Sequence, residues 1–234
     1  GRKPDVFACG FCHRADGPGG PENSALAGLP AAYIVQQMND YKSGARRTAV
    51  PKRNIDLMIG LAKAATDAEI AEAAAYFSAL KPRQHTRVVE TDTVPKTYIT
   101  FNHYVPLSSG EKEPIGKRII EVAADFDQFQ SRDTHARFIA YVPVGSVARG
   151  EALVKTGGPG KTLACTSCHG PDLRGVGQIP GIAGRSTNYT ARQLYDIKHG
   201  FRVGTLALLM KEVVAKLEAE DMIAISAYLA TLAP

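Results

Sequence analysis

The sequence predicts a mainly α chain of two similar halves, residues 1–81 and 145–234, joined by a partly β insertion over residues 82–144. Three observations carry this expectation. A five-residue cysteine and histidine motif occurs once in each half, as Cys9-Gly10-Phe11-Cys12-His13 and Cys165-Thr166-Ser167-Cys168-His169. Each copy is followed by apolar residues at helical spacing. The stretch between the halves instead holds short β-branched and aromatic runs punctuated by prolines and Ser108-Ser109-Gly110. At 234 residues, the chain has room for two small domains.

Both motifs read Cys-x-x-Cys-His, the attachment signature of c-type haem. Two cysteines three apart on a helical turn can each form a thioether with one vinyl group of the same porphyrin, and the adjacent histidine then supplies the proximal imidazole. A four-cysteine zinc site and a redox dithiol are the competing readings. Neither requires a histidine after the second cysteine, and no thioredoxin-like βαβ pattern surrounds either motif. The motifs use all four cysteines of the chain, so no disulfide is expected. The cofactor expectation is two covalently bound haem c groups, held by Cys9 and Cys12 and by Cys165 and Cys168, with His13 and His169 on the irons.

In the first half, eight residues precede Cys9, too few for a leading helix. After His13 a glycine and proline cluster forms a loop. Pro30 opens a helix whose stripe is Ala31, Ile34, Met38 and Tyr41, and Gly44 closes it. Residues 45–65 are irregular, basic at Arg46, Arg47, Lys52 and Arg53, then apolar around Leu57-Met58-Ile59. Thr66-Asp67-Ala68-Glu69 has the form of a capping box and starts a helix burying Ile70, Ala74, Phe77 and Leu80, which Lys81-Pro82 ends.

The insertion is expected to hold short β hairpins built from Val88 to Val94, Tyr98 to Phe101, Arg118 to Val122 and Phe138 to Val142. Its density of valine, isoleucine, tyrosine and phenylalanine argues against a disordered linker. In the second half, Ser146 is expected to cap a helix through Val147, Leu153 and Val154 that ends at Gly157-Gly158. A glycine-rich loop follows the haem motif to Gly184. A helix from Asn188 to Lys198 stops at Gly200, and a last helix from Glu218 to Leu232 buries Met222, Ile225 and Leu229 on one side.

A histidine-ligated haem iron keeps one axial position open, and a methionine thioether there raises the reduction potential and leaves no site for substrate. Each half has two methionines. Met38 lies on a helical stripe and Met222 inside the final helix, where methionine is usually core filler. Met58 and Met210 each lie eight residues before the residue that opens the closing helix, Thr66 or Glu218, and 45 and 41 positions after their histidines. They are therefore the expected axial ligands. His85, His103, His135 and His199 are the alternatives.

The formal charge of +5 is nearly cancelled once the four propionates of two haems are counted, and the basic residues are scattered. Nucleic-acid binding is not expected. No apolar run is long enough to span a bilayer, so the chain is not expected to be transmembrane. It begins Gly1-Arg2-Lys3-Pro4, with no start methionine or apolar leader. Because c-type haem is attached outside the bacterial cytoplasm, a removed secretion signal and a periplasmic location are expected.

Together these motifs resemble a dihaem class I cytochrome c of the cytochrome c4 type. In the first half the resemblance is carried by Cys9 to His13, Leu26-Ala27-Gly28, Ala32 to Gln37, Asp40 to Gly44 and Ile70 to Phe77. In the second it is carried by Cys165 to His169, Pro180 to Gly184, Tyr189, Gln193-Leu194, Glu220-Asp221 and Ala227-Tyr228-Leu229. It implies two all-α cytochrome c domains that carry single electrons without bond-making chemistry. It also implies that Pro180 presents its carbonyl to His169, with Ser24 at the matching place for His13, and that Arg46, Arg47 and Arg202 lie near haem propionates. The missing leading helix and the long insertion depart from the family; either the insertion covers the surface left open or the sequence is cut short at its start.

The expected partners are redox proteins, a periplasmic dehydrogenase and a terminal acceptor. A second reading makes the chain the electron-accepting cytochrome subunit of a dehydrogenase complex, docked through the insertion. A third is a dihaem oxidoreductase such as a peroxidase or a thiosulfate-oxidising enzyme. A methionine in each half argues against it, because those reactions need an open iron position.

Overall fold

The computed structural model describes residues 1–50, 53–100 and 103–234, with every side chain among them except that of Arg53. Lys52 of the basic stretch and Phe101 of the second β-rich run lie outside the described residues.

The first half packs three helices: α1 (Ala31–Ser43), α2 (Arg53–Ala64) and α3 (Asp67–Ala79). Helix α1 follows an extended Pro30 and ends on Gly44 at φ +78°, a left-handed turn that only a residue without Cβ takes freely. Helix α3 opens with a capping box: the Glu69 N–H donates to Thr66 Oγ1 at 3.2 Å, and the Thr66 N–H donates to Glu69 Oε2 at 2.8 Å. Its core consists of Leu29, Ile34, Ala74 and Phe77, with a satellite of Val6, Ala65 and Ile70. The irregular stretch expected around Met58 is in fact helical. Leu57, Met58, Ile59 and Leu61 encircle α2 instead of forming one stripe, which hides the helical period.

In the second half, α4 (Ser146–Thr156) crosses α6 (Ala219–Thr231), and α5 (Thr187–Lys198) packs against α6. Ser146 does not cap α4. Gly145 holds the cap position at φ +84°, and the Glu90 carboxylate reaches across from the insertion to accept the Val147 N–H at 2.7 Å. Helix α6 corrects a second expectation, because every residue from Asp221 to Ala230 is buried, not one side alone. The cause is the insertion, whose sheet packs on α6 in addition to α4 and α5.

The insertion contributes β1 (Thr86–Glu90), β2 (Thr93–Pro95), β3 (Thr97–Thr100), β4 (His103–Pro106), β5 (Lys112–Pro114), β6 (Ile120–Ala123) and β7 (Phe138–Val142). It is not a set of hairpins alone, although β3 and β4, adjacent in sequence, do pair antiparallel. Five strands form one mixed sheet in the order β1-β7-β6-β4-β3, with β1/β7 and β4/β6 parallel, while β2 and β5 pair separately. Parallel pairs need crossover connections. Short β-branched runs do not announce such pairings.

The α6 N-terminus carries a buried charge. Asp221 is 1 % exposed; it accepts the Glu218 N–H at 2.9 Å and Arg149 Nη2 at 2.5 Å, and pairs with Lys161 Nζ at 3.1 Å. Burial alone would raise the Asp221 pKa, but these donors and cations hold it below the usual carboxylate range. A group with a lowered native pKa contributes stability above its unfolded pKa and loses it as the pH falls through the native value. Asp221→Asn is therefore expected to cost about 2–3 kcal/mol at pH 7, where Arg149 and Lys161 remain partly solvated. In guanidinium titrations that difference should shrink below about pH 4.

Candidate haem sites and the seam between them

Residues Gly10–His13 and Thr166–His169 each form a single helical turn, in which the histidine N–H donates to the Cys9 or Cys165 carbonyl at 3.0 Å. This turn brings both cysteines and the histidine of each motif to neighbouring positions. The four thiols are free. Burial raises the pKa of Cys9 and Cys12 and pushes that of Cys165 up to about 11. Such thiols stay protonated, unlike the thiolates on which exchange catalysts depend. Among the described residues no group of three or more histidine, cysteine or acidic side chains lies together.

His169 Nδ1 lies 2.8 Å from the Pro180 carbonyl, and His13 Nδ1 lies 2.7 Å from the Ser24 carbonyl. A backbone carbonyl is a pure acceptor, so Nδ1 carries the proton and Nε2 keeps the lone pair that can bind iron. Ser24 supplies the same group as proline does, because the acceptor belongs to the backbone. Burial lowers the pKa of both histidines, with the carbonyl bond opposing it, which favours neutral, ligating imidazoles.

Met58 lies within α2, half-buried, and Met210 lies just ahead of the Lys211–Val214 turn, packed on the edge of the second-half core. Met222 is a core residue at 4 % exposure, and Met38 packs on the satellite of Val6, Ala65 and Ile70.

Beyond the motifs, the tertiary structure brings together residues that periodicity does not single out. Equivalent residues of the halves are 156 positions apart, as for His13 and His169, Gln37 and Gln193, and Arg46 and Arg202. At the seam they meet across a pseudo-two-fold axis. Val203 N–H donates to the Ala45 carbonyl at 2.8 Å, and its counterpart, Arg47 N–H, donates to the Phe201 carbonyl at 2.7 Å. Arg46 donates to Gln37 Oε1 at 2.8 Å and to Gln193 Oε1 at 3.1 Å; Arg202 donates to Gln193 Oε1 at 3.0 Å and to Gln37 Oε1 at 2.8 Å. Arg46 also donates to the Tyr189 hydroxyl at 3.0 Å. Burial opposes ionisation of Tyr189, yet the Arg46 and Arg202 charges bring its pKa down to about 8.

Two guanidinium groups so buried call for anions, yet among the described residues neither forms a salt bridge, and Arg202 Nε is buried without a partner. Carboxylates carried by a bound group would meet that need, and the propionates of haem have the right charge and bidentate geometry. The donor set therefore fits haem c: paired free thiols, neutral histidines and unneutralised buried arginines. The Arg47 side chain is exposed and joins the seam only through its backbone.

Two features come from the insertion. Arg132 stacks over the Phe11 ring at 3.7 Å and donates to the Phe11 carbonyl, while Arg14 Nη2 donates to the Phe129 carbonyl at 3.0 Å. The insertion therefore touches the first haem motif at Phe11 and Arg14, while Phe11 and Cys12 stay exposed. The N-terminal segment packs on the first-half helices, where Val6 lies on Ala65 and Ile70 and Arg2 pairs with Glu69 at 3.1 Å. Glu121 of β6, 1 % exposed, accepts from Ser186 Oγ at 2.7 Å, Thr187 Oγ1 at 2.8 Å and the Asn188 N–H at 2.9 Å. A carboxylate there matches the positive end of α5, the helix that presents Tyr189 and Gln193 to the seam.

Comparison with known proteins agrees with this chemistry. Residues 147–233 match the family described as Cytochrome c. Cytochrome c4 of Pseudomonas aeruginosa is 28% identical over 226 residues, covering 94% of this chain and 82% of that protein. The thiosulfate dehydrogenase electron acceptor of Thiomonas intermedia is 28% identical over 232 residues, covering 97% of this chain and 79% of that protein. Cytochrome c-554(547) of Halothiobacillus neapolitanus is 34% identical over 84 residues, 31% of this chain and 92% of that protein. The crystal structure of reduced cytochrome c4 from Pseudomonas stutzeri aligns with a TM-score of 0.61 at 26% identity, covering 96% of this chain and 93% of that one. With its two haem-attachment motifs on one pseudo-symmetric, mainly α framework, the chain belongs to the cytochrome c family, as a dihaem electron-transfer cytochrome of the cytochrome c4 type.

Proposed function

We propose that the chain carries single electrons between periplasmic redox partners through two His/Met haem sites. One is built from Cys9, Cys12, His13 and Met58 in a domain spanning residues 1–81. The other is built from Cys165, Cys168, His169 and Met210 in a domain spanning residues 145–234, and residues 82–144 brace the pair. The observation that carries this reading is the seam, where Arg46 and Arg202 share the two glutamine side chains. Two cations held this closely would receive propionates of both haems at one seam, and the haems would supply electron exchange within the chain.

When bound, haem c supplies the one-electron change at iron. The chain's own residues set its conditions. Ser24 and Pro180 hold the protons on His13 and His169 Nδ1, Met58 and Met210 keep exogenous ligands off the iron, and Arg46 and Arg202 neutralise the propionates. The donor is a periplasmic dehydrogenase and the acceptor a terminal redox protein, met through small transient contacts. A second reading, an electron-accepting partner within a dehydrogenase complex, is favoured by the similarity to the thiosulfate dehydrogenase electron acceptor of Thiomonas intermedia. No helix among the described residues is long and apolar enough to cross a membrane.

A redox titration followed by optical spectra tests the reading. Two low-spin, high-potential components that resist carbon monoxide when reduced are expected. A high-spin component, or rapid stoichiometric carbon monoxide binding at neutral pH, would overturn it in favour of an enzyme.

A further inference from the structure

One side-chain amide serves both seam arginines, and a buried carboxylate holds it. Gln37 Oε1 accepts from Arg46 Nη1 and from Arg202 Nη2, each at 2.8 Å, while Gln37 Nε2 donates to Asp40 Oδ2 at 3.1 Å. A guanidinium only donates and a carboxylate only accepts, so a single orientation of the amide satisfies these neighbours. Turned over, it would set its NH2 against two cations and its oxygen against the carboxylate. Gln36 Nε2 donates to Asp40 Oδ1 at 2.8 Å, and the Asp40 main-chain carbonyl accepts the Arg46 N–H at 2.9 Å. Asp40 and Gln37 are 5 % and 6 % exposed, so these bonds act at low local dielectric.

The second half departs from this pattern. Asp196, 156 positions after Asp40, is also buried, but its carboxylate accepts the Ala49 N–H across the seam at 2.9 Å. Among the described residues no hydrogen bond joins it to Gln193. The second half instead makes room for Asp40, because a Cβ at Gly204 would overlap the Asp40 carboxylate. Gly204 has φ −60° and ψ 155°, which any residue adopts, so space alone demands the glycine there.

We propose that Asp40 is a positioning residue for the seam arginines: through Gln37 it fixes the amide that holds Arg46 and Arg202 side by side, and so sets both cations against the haem propionates. This rests on the propionates lying at the seam. The carboxylate polarises the amide and strengthens its oxygen as an acceptor shared by two like charges. A direct ion pair would draw the arginines away from the propionates, whereas the intervening amide leaves both cations available.

The test uses the full-length dihaem protein and follows the two midpoint potentials, together with the side-chain amide resonances of Gln37 in the reduced state. Asp40→Asn is expected to lower both potentials, because arginines that leave the propionates no longer offset charges that favour the oxidised iron, and to speed solvent exchange of the Gln37 amide protons. Loss of a negative charge by itself has the opposite sign and would raise the potentials, so the direction separates positioning from a field effect. Gly204→Ala keeps every charge but displaces the carboxylate, and should lower both potentials as well. In a Gln37→Leu background Asp40→Asn should lower them no further. A rise in Asp40→Asn, or an equal fall with and without Gln37, overturns the proposal. Should Asp40→Asn not take up haem, Gly204→Ala decides, and unmoved potentials there sink the idea. If Arg46→Gln and Arg202→Gln both leave the potentials unmoved, the propionates do not lie at the seam, and that reading falls together with the proposal. If those two variants lower the potentials and Asp40→Asn does not, only the proposal fails.

Discussion

Gly150→Ala should destabilise the chain by about 3 kcal/mol or more, and denaturant unfolding followed by the second haem's absorbance will measure it. Helix propensity alone points the other way, since alanine in a helix interior is favoured over glycine by about 1 kcal/mol. Packing decides the sign. Gly150 lies in α4 where it crosses α6, and a Cβ there would overlap the Ala224 carbonyl oxygen, lie 2.6 Å from its carbon and lie 2.8 Å from Tyr228 Cβ. The obstacle is mainly the backbone of a fully buried helix, which has no rotamer to give. Only separation of α4 from α6 relieves it, and that opens the core around Leu153, Val154, Ile225 and Leu229. Gly60, in the interior of α2 with nothing within 4 Å of a Cβ, is the contrasting site. There alanine should stabilise by up to about 1 kcal/mol.

Met58→Ala and Met210→Ala should each remove about half of the near-infrared sulfur-to-iron charge-transfer absorption and open one iron to carbon monoxide, because each site depends on its own thioether. The affected potential should fall, since a methionine ligand is what raises it. Met38→Ala and Met222→Ala should leave the band intact. Met222, at 4 % exposure in the second-half core, should instead cost about 2–4 kcal/mol as a cavity. If the band disappears in the Met38 or Met222 variants and survives in the others, the ligand assignment is reversed.

The site was legible wherever its chemistry is encoded over a few residues. The two Cys-x-x-Cys-His runs, the capping box at Thr66 and Glu69, and the glycine that ends α1 all act within one or two helical turns. The partners of the arginines were less legible. Arg46 and Arg202 could be suspected as propionate cations, but Gln37, Tyr189 and Gln193 read only as helix-face polar residues. One signal could have found them: the constant spacing of 156 positions, which pairs Gln37 with Gln193 just as it pairs the histidines. Glu121 carried no signal, since one glutamate in a strand reads as a solvated position until α5 is seen to end on it.

By itself the sequence determined the two haem-attachment motifs and most of the helices around them, because a Cys-x-x-Cys-His run, capping and helical periodicity are local properties. Only the tertiary structure decided how those parts constrain one another. It buried α6 on every side by laying the sheet of the insertion against it, and it placed two buried guanidinium groups, without a salt bridge among the described residues, at the seam. It also brought Arg185 of the second half to the Ala25 carbonyl of the first. These are pairings between residues far apart in sequence, and no local pattern names the partner.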